Sequence, residues 1–413
     1  MNKAIALIVG LLLALPAHAQ TLAGDQRKSL WDDQAKSLRA AVEQAWSRHP
    51  QAAAIAAREA EAQARAEVAA GITPGPASMS LSSLNDRLNH NRGKQEWEVE
   101  LATPLWLPRQ KAARQTEAES AVGEVAARRA SLRLQIAGEV REAWWAVAGA
   151  RNARDLAARR SATARALEAD VVRRFKAGDL ARVDANLAQN ERLAAEAELL
   201  EADVVLRQVE QTYRGLTGNA APVALPAETA IPLRGWQEDH PQLMALAASA
   251  QLARARLKVA QETRRDAPEL ALRVVRDRDV FGEPHTNTVG VKLTIPFSSG
   301  ARLRQESSAA RAEALQADAE LALARQKIEL EAERTRLDFD IVQRQLGMAE
   351  ERRALTAENL RLAEKSFSLG ESDLTALLRA RGNAFEAEAF LNRQQVARAA
   401  AQSRLKQALG VLP

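Results

Sequence analysis

Residues 97–108 read WEVELATPLWLP, and residues 289–297 read VGVKLTIPF. Each alternates apolar and polar side chains until a proline stops it, Pro104 in the first and Pro296 in the second. In a strand this puts Trp97, Val99 and Leu101 on one face and Glu96, Glu98 and Glu100 on the other. A second alternating run lies upstream of each: Ala77, Met79 and Leu81 among Ser78, Ser80 and Ser82, and Leu270, Leu272 and Val274 ahead of Val289, Val291, Leu293 and Ile295. Two hairpins are expected. Strands of about ten residues, apolar on one side and charged on the other, have the length and dyad pattern of membrane β-barrel strands. Either hairpin alone would better suit a half-buried soluble sheet; two at matching positions favour a barrel wall.

Working outward, the two prolines prove to be part of a repeat. Pro104 and Pro296 are 192 residues apart, and the same offset relates Phe175 to Phe367, Gly178 to Gly370 and Gly218 to Gly410. His49-Pro50-Gln51 recurs as His240-Pro241-Gln242, 191 residues on. A fixed offset over so many anchors marks two copies of one unit. The expected units are residues 20–218 and 238–413, joined by a proline-rich segment at 219–237.

No proline falls between Pro108 and Pro222, or between Pro296 and Pro413. Proline is excluded from helix interiors, so each gap is a helical block. Leu132, Ile136, Val140, Ala143 and Val147 mark one helix face in the first block, and Leu323, Leu330 and Leu337 a seven-residue coiled-coil seam in the second. Each block turns once, at residues 176–179 (KAGD) and 368–371 (SLGE), where glycine can close a helix. The arm from Pro104 to Gly178 would be ~110 Å long and the return to Gly218 only ~60 Å. The Ala-rich helices at 34–70 and 241–265 would cover the rest.

Composition agrees with long thin helices. The 413 residues are 46% hydrophobic but only 4% aromatic, and 58 Lys+Arg stand against 53 Asp+Glu, for a net charge of +5. The basic residues are interleaved with acids as on a solvated helix surface, so no nucleic-acid partner is expected. There is no cysteine, hence no disulfide, no cysteine-ligated metal and no lipid anchor on cysteine. Lys3, the apolar run Ala4–Leu15, Pro16 and Ala17-His18-Ala19 form a signal peptide over residues 1–19, so the chain is expected to be exported. Four strands cannot close a barrel, and an open edge in hydrocarbon leaves backbone groups unsatisfied. Self-association is implied: two copies give eight strands and a filled interior, three give twelve and a lumen, which the polar row Glu96, Glu98, Glu100 and Lys292 favours.

The order of signal peptide, helix, strand pair, proline junction and long helix, with the tips RRFKAGDLARVDANLA (173–188) and KSFSLGESDLTALLRAR (365–381), resembles the outer-membrane efflux protein (TolC) family. The junction ELATPLWLPRQ (100–110), the compact length and the missing lipid-acceptor cysteine look most like its heavy-metal branch, of cobalt-zinc-cadmium type. The resemblance implies a mainly α protein with membrane β: a homotrimer with a 12-stranded barrel in outer-membrane lipid and an α-helical coiled-coil barrel across the periplasm. It implies a passive exit duct for a tripartite efflux system, with a periplasmic adaptor and an inner-membrane resistance-nodulation-division pump as partners. A duct for type I protein secretion or drug efflux, or more remotely a periplasmic coiled-coil adaptor, remains open.

Carried over by motif, Gly178 and Gly370 are the tip glycines. Phe175, Ala177, Leu180, Phe367 and Leu369 beside them form the adaptor-docking surface. Asp184 matches the recurring tip acid of the first unit. In the second, Arg379 stands where an acid is usual, so a gate ring would use Glu371 or Asp373, with Arg182 latching to a neighbouring acid. Asp179 and Glu371 have an alternative role as acids complementing a helix dipole. His49 and His240 sit at helix starts, His90 and His285 in the far loops, and Trp144 and Trp145 are packing anchors. No catalytic motif is present, and neither enzyme activity, a cofactor nor a metal site is expected.

Overall fold

The computed structural model describes residues 37–88, 90–228, 239–297 and 300–413. The signal peptide and residues 229–237 of the connecting segment lie outside the described residues. The elements run α1 (Leu38–Arg48), α2 (Pro50–Ala70), β1 (Ser78–Asn85), β2 (Gln95–Pro104), α3 (Gln110–Ala177), α4 (Arg182–Thr217), α5 (Pro241–Glu262), β3 (Glu269–Arg278), β4 (Thr286–Thr294), α6 (Gly300–Ser368) and α7 (Leu374–Ala408).

The helix expected at 34–70 is two helices, because His49 leaves the helical region at φ −72° and ψ 124°. The ring of Pro50 crowds the residue before it out of the α conformation and begins the next helix as its first residue. His49 then caps that helix through Nδ1, which accepts the Gln51 N–H at 3.3 Å. His240 does the same ahead of Pro241, accepting from Gln242 at 3.2 Å.

The long helices α3 and α6, of 68 and 69 residues, each extend ~100 Å. On α3, α2 covers the half towards the strands, and α4, of 36 residues, covers the half towards the tip. Helix α5 lies against both α3 and α6, and α7 against both α6 and α3. The helix α3 is therefore central, whereas α4 and α6 are the margins. The expected face Leu132, Ile136, Val140, Ala143 and Val147 is wholly buried, with Trp144, Tyr213 and Ala400 in the same cluster. The seam Leu323, Leu330 and Leu337 is not: each of the three is more than half exposed. These leucines face away from α5 and α7, and α6 instead packs through small residues such as Ala314, Ala332 and Ala349.

The four strands form one antiparallel sheet in the order β1-β2-β3-β4. The two hairpins meet along β2 and β3, leaving β1 and β4 as open edges.

Candidate functional site

The sheet is a wall with two unlike faces. Its register aligns Met79, Leu101, Leu272 and Val291 in one row and Leu81, Val99, Val274 and Val289 in the next. All eight are substantially exposed. The opposite face carries Ser80, Glu100, Arg273 and Gly290 in one row and Ser82, Glu98, Val275 and Thr288 in another. Arg273 pairs with Glu98 at 3.5 Å and Lys292 with Glu100 at 3.4 Å. Glu96 and Asp277 are direct partners across β2 and β3 on this charged face, and neither makes an ion pair with a described residue. Like charges directly opposite one another oppose strand pairing, so this arrangement costs stability.

The tips at the far end of the helices are built from glycine and capping. Gly178 (φ 89°) and Gly370 (φ 78°) adopt the left-handed conformation that closes α3 and α6. The N–H of Asp179 returns to the Arg174 carbonyl at 3.0 Å, and that of Glu371 to the Ser366 carbonyl at 3.0 Å. Both acids thus sit in helix-closing turns, with exposed side chains. At the start of α4, the Asp184 carboxylate accepts the Ala181 N–H at 3.1 Å, and at the start of α7 the Asp373 carboxylate accepts the Ala376 N–H at 2.8 Å.

The docking candidates divide by burial. Phe175, Ala177, Gly178, Leu369 and Gly370 are exposed. Phe367 is only 7% exposed, although it is the repeat counterpart of Phe175, which is 39% exposed. Phe367 packs with Leu167, Val171, Leu374 and Leu377, with Leu180 at the margin, and the Arg174 guanidinium stands 5.3 Å from its ring centroid. Among the gate candidates, Arg182, Glu371 and Arg379 are exposed and make no ion pair with a described residue. Arg381, two residues beyond Arg379, pairs with Glu364 at 3.1 Å.

One constellation is absent from any sequence motif. At mid-height, Arg141 of α3 grips Glu228 of the connecting segment through two bonds of 2.8 and 3.0 Å, and reaches the Val411 carbonyl at 3.0 Å. Lys406 approaches the same carboxylate at 3.2 Å and the Ser403 hydroxyl donates to it at 2.6 Å. Trp145 Nε1 donates in turn to Ser403 at 2.8 Å. Arg141, Glu228 and Lys406 are all buried. Burial alone would raise the Glu228 pKa. The bonds from Arg141 and Ser403 and the charges of Arg141 and Lys406 outweigh it and hold the carboxyl below the usual range. Nearly three turns of α3 further on, Arg151 takes the carbonyls of Ala221 and Val223 at 3.2 Å each and Glu210 at 3.0 Å. Two arginines of α3 therefore strap residues 221–228 to the middle of the helical body. The signal was present in hindsight: an Arg beside the Trp144-Trp145 pair, facing a loop acid between prolines.

Among the described residues no group of three or more His, Asp or Glu side chains could hold a metal ion, and no helix is long and apolar enough to cross a membrane.

Residues 236–411 match the family described as outer membrane efflux protein. The cobalt-zinc-cadmium resistance protein CzcC of Cupriavidus metallidurans is 31% identical over 134 residues, covering 30% of this chain. The match spans about a third of that relative's length, 32%. The fold is similar to that of the outer membrane protein VceC of Vibrio cholerae (TM-score 0.74, 17% identity, 91% of this chain and 96% of that one). It is also similar to the MtrE outer membrane channel of Neisseria gonorrhoeae (TM-score 0.73, 16% identity, 91% and 89%). By sequence the similarity to the outer membrane efflux protein family covers residues 236–411, and the fold shared with these outer membrane proteins extends over nine-tenths of the chain.

Proposed function

We propose that the protein is the outer-membrane channel of a tripartite efflux system, a passive exit duct for heavy-metal cations. The observation that carries this reading is the sheet: four strands, apolar along one face and charged along the other, with both edges unpaired. Such a sheet is viable in hydrocarbon only when its edges are closed by further copies. Three copies would give the twelve strands needed for a wet lumen.

The helical margins support the same assembly. Leu323, Leu330, Leu337, Met348, Leu355 and Leu362 form a bare apolar stripe along α6, while Leu193, Leu200 and Val204 form another on α4. Apolar stripes of this extent mark an interface. Two different margins meeting head to tail generate a ring, and the open edges β1 and β4 demand the same head-to-tail closure. The two-unit division, 20–218 and 238–413 about the segment 219–237, gives a pseudo-sixfold wall in a trimer. The charged sheet face would line the lumen, where Glu96 and Asp277 favour cations.

In this reading the tips face the periplasm. The adaptor docks on Phe175, Ala177, Gly178, Leu369 and Gly370, with Leu180 and Phe367 supporting that surface from behind. Arg182, Asp184, Glu371, Asp373 and Arg379 line the closure, and the pump is an inner-membrane protein of resistance-nodulation-division type. The similarity to a cobalt-zinc-cadmium resistance protein supports metal cations as cargo.

The test is a deletion strain challenged with zinc, cobalt, cadmium, copper and organic toxicants, alongside electrophoresis of outer-membrane fractions with and without heating. Heat-modifiable trimers and loss of metal tolerance are expected. A water-soluble monomer would overturn the channel, and unchanged metal tolerance the cargo.

A further inference from the structure

The membrane-facing side of the sheet changes character near its loop end: Ser83 and Asn85 on β1, Gln95 on β2 and Asn287 on β4 replace apolar residues there, and β3 alone brings positive charge. In this strand Leu272 and Val274 share the apolar face with Arg276 and Arg278. Arg276 lies opposite Trp97 on β2 and Asn287 on β4, and Arg278 lies opposite Gln95. Two residues apart on one face, the arginines are ~7 Å from each other. Arg276 is exposed and makes no ion pair or side-chain hydrogen bond with a described residue. Their sequence neighbour Asp277 points to the other face with Glu96, so the acids that might neutralise the arginines are on the wrong side of the sheet.

Arg278 is held in place. Its Nε donates to the Gly93 carbonyl at 3.3 Å, and its guanidinium stands 5.6 Å from the Phe281 ring centroid. The Phe281 N–H is itself fixed on the Arg92 carbonyl at 2.9 Å. A side chain at Gly93 would meet the Phe281 backbone nitrogen at 2.4 Å, so the two loops are locked together under the arginine. The terminal guanidinium nitrogens of Arg278 have no hydrogen-bond partner among the described residues.

A lipid-facing arginine is costly at the bilayer midplane and nearly free at the interface. From Arg276 down β3 to Leu270, and on to the level of exposed Phe297, the strand path gives an apolar band ~25 Å tall, close to that of an outer-membrane barrel. The arginines therefore stand at headgroup height on the loop side, with Trp97 beside Arg276 as an interfacial anchor.

We propose that Arg276 and Arg278 form a binding site for the phosphorylated headgroups of the lipid leaflet on the loop side, three such sites per trimer. The proposal rests on the barrel reading above. Guanidinium forks match phosphate geometry, and the site would both anchor the barrel at its correct depth and concentrate anionic lipid around it.

The test uses the full chain, assembled and solubilised in non-ionic detergent, titrated with micelles doped with phosphatidylglycerol, with phosphatidylcholine or with inorganic phosphate alone. Bound lipid is counted by native mass spectrometry. At about 1 kcal/mol per basic residue near a charged lipid surface, Arg276→Gln with Arg278→Gln should weaken phosphatidylglycerol binding about thirtyfold and either single change about fivefold. Arg273→Gln, on the charged face, should change it less than twofold. Equal retention by the double variant, an equal loss in Arg273→Gln, or competition by millimolar inorganic phosphate as effective as the lipid would overturn the proposal. If the double variant does not assemble, the single variants decide. The barrel reading fails separately, through a wild-type chain that does not float with phosphatidylcholine vesicles.

Discussion

Asp184 and Asp373 supply opposite halves of one capping box. Asp184 is the third residue of α4 and its carboxylate accepts the N–H of Ala181 at the cap, whereas Asp373 is itself the cap of α7 and accepts the N–H of Ala376, the third residue. At the repeat offset of 192, Asp184 corresponds to Ala376 and Ala181 to Asp373. The two tips thus secure different ends of the same orphan donor pair, each with a single acid.

A cap of this kind contributes ~1 kcal/mol. Asp184→Ala and Asp373→Ala should each raise amide exchange in the first turn of the affected helix about fivefold and leave the rest of the chain unchanged. Restoring the missing partner with Ala181→Ser beside Asp184 should slow that exchange below the wild-type rate. If the two acids also form the gate, the double Asp→Ala variant will show higher single-channel conductance in planar bilayers. Unchanged conductance would leave them as caps only.

The strap at mid-height should be the least tolerant part of the helical body. Removing one member of a buried ion pair leaves the other uncompensated, at a cost of ~3–5 kcal/mol. Arg141→Ala and Glu228→Ala should each lower the thermal midpoint by several degrees, with proteolysis appearing first in the strapped residues 221–228. Exposed Arg379→Ala, by contrast, should fall within about 0.5 kcal/mol of wild type.

Two groups near the strap make it acid-sensitive in different windows. The folded-state pKa of Glu228 is depressed, so its stabilisation is complete above the ordinary glutamate value of ~4.3 and is lost as pH falls towards the lower folded value. Burial also lowers the pKa of His240, against the opposing charge of Asp239. Its neutral Nδ1 accepts the Gln242 N–H, so its contribution is complete above about pH 6.5 and declines as pH falls through the lower folded value. Thermal midpoints measured from pH 8 to pH 3 should show two descending steps. His240→Asn, which keeps a capping acceptor, should remove the upper one.

Leu330→Lys and Leu337→Lys introduce charges at positions more than half exposed in the protomer, so the isolated chain should tolerate them. In the assembled ring those charges would meet the α4 stripe of the next copy. If the chain assembles as the proposed trimer, light scattering in detergent should show its loss, and circular dichroism should show unchanged helicity.

Glu96 and Asp277 can be probed through ion selectivity. Three copies would place six carboxylates around one level of the lumen, and neutralising them with Glu96→Gln and Asp277→Asn should shift the zero-current potential in a salt gradient towards that of a non-selective pore. Relieving the like-charge pair should also raise barrel stability slightly, seen as a higher heat-modification temperature.

The elements themselves were legible because the signals for them are local. Proline-free runs delimit α3 and α6, strict alternation delimits β2 and β4, and left-handed Gly178 and Gly370 close helices where the sequence has glycine before a polar turn. The continuous helix expected at 34–70 overlooked a local signal, since Pro50 is excluded from a helix interior and divides α1 from α2. The seven-residue leucine spacing on α6 was expected to be a packed seam, but Leu323, Leu330 and Leu337 are exposed in the protomer, because spacing fixes which residues share a face and not what covers that face.

What the amino-acid order determines alone is therefore the inventory of helices and strands, their turns and the two-faced character of the sheet, since each follows from backbone sterics or side-chain periodicity within a few residues. Tertiary structure decides which equivalent positions share a fate. Phe367 is buried and Phe175 exposed because only the former meets Leu167, Val171 and Arg174 across the hairpins. Arg141, Glu228 and Lys406 become one buried cluster across separations of 87 residues and more. Burial and charge pairing at that range depend on which helix packs against which, and no local pattern of residues encodes it.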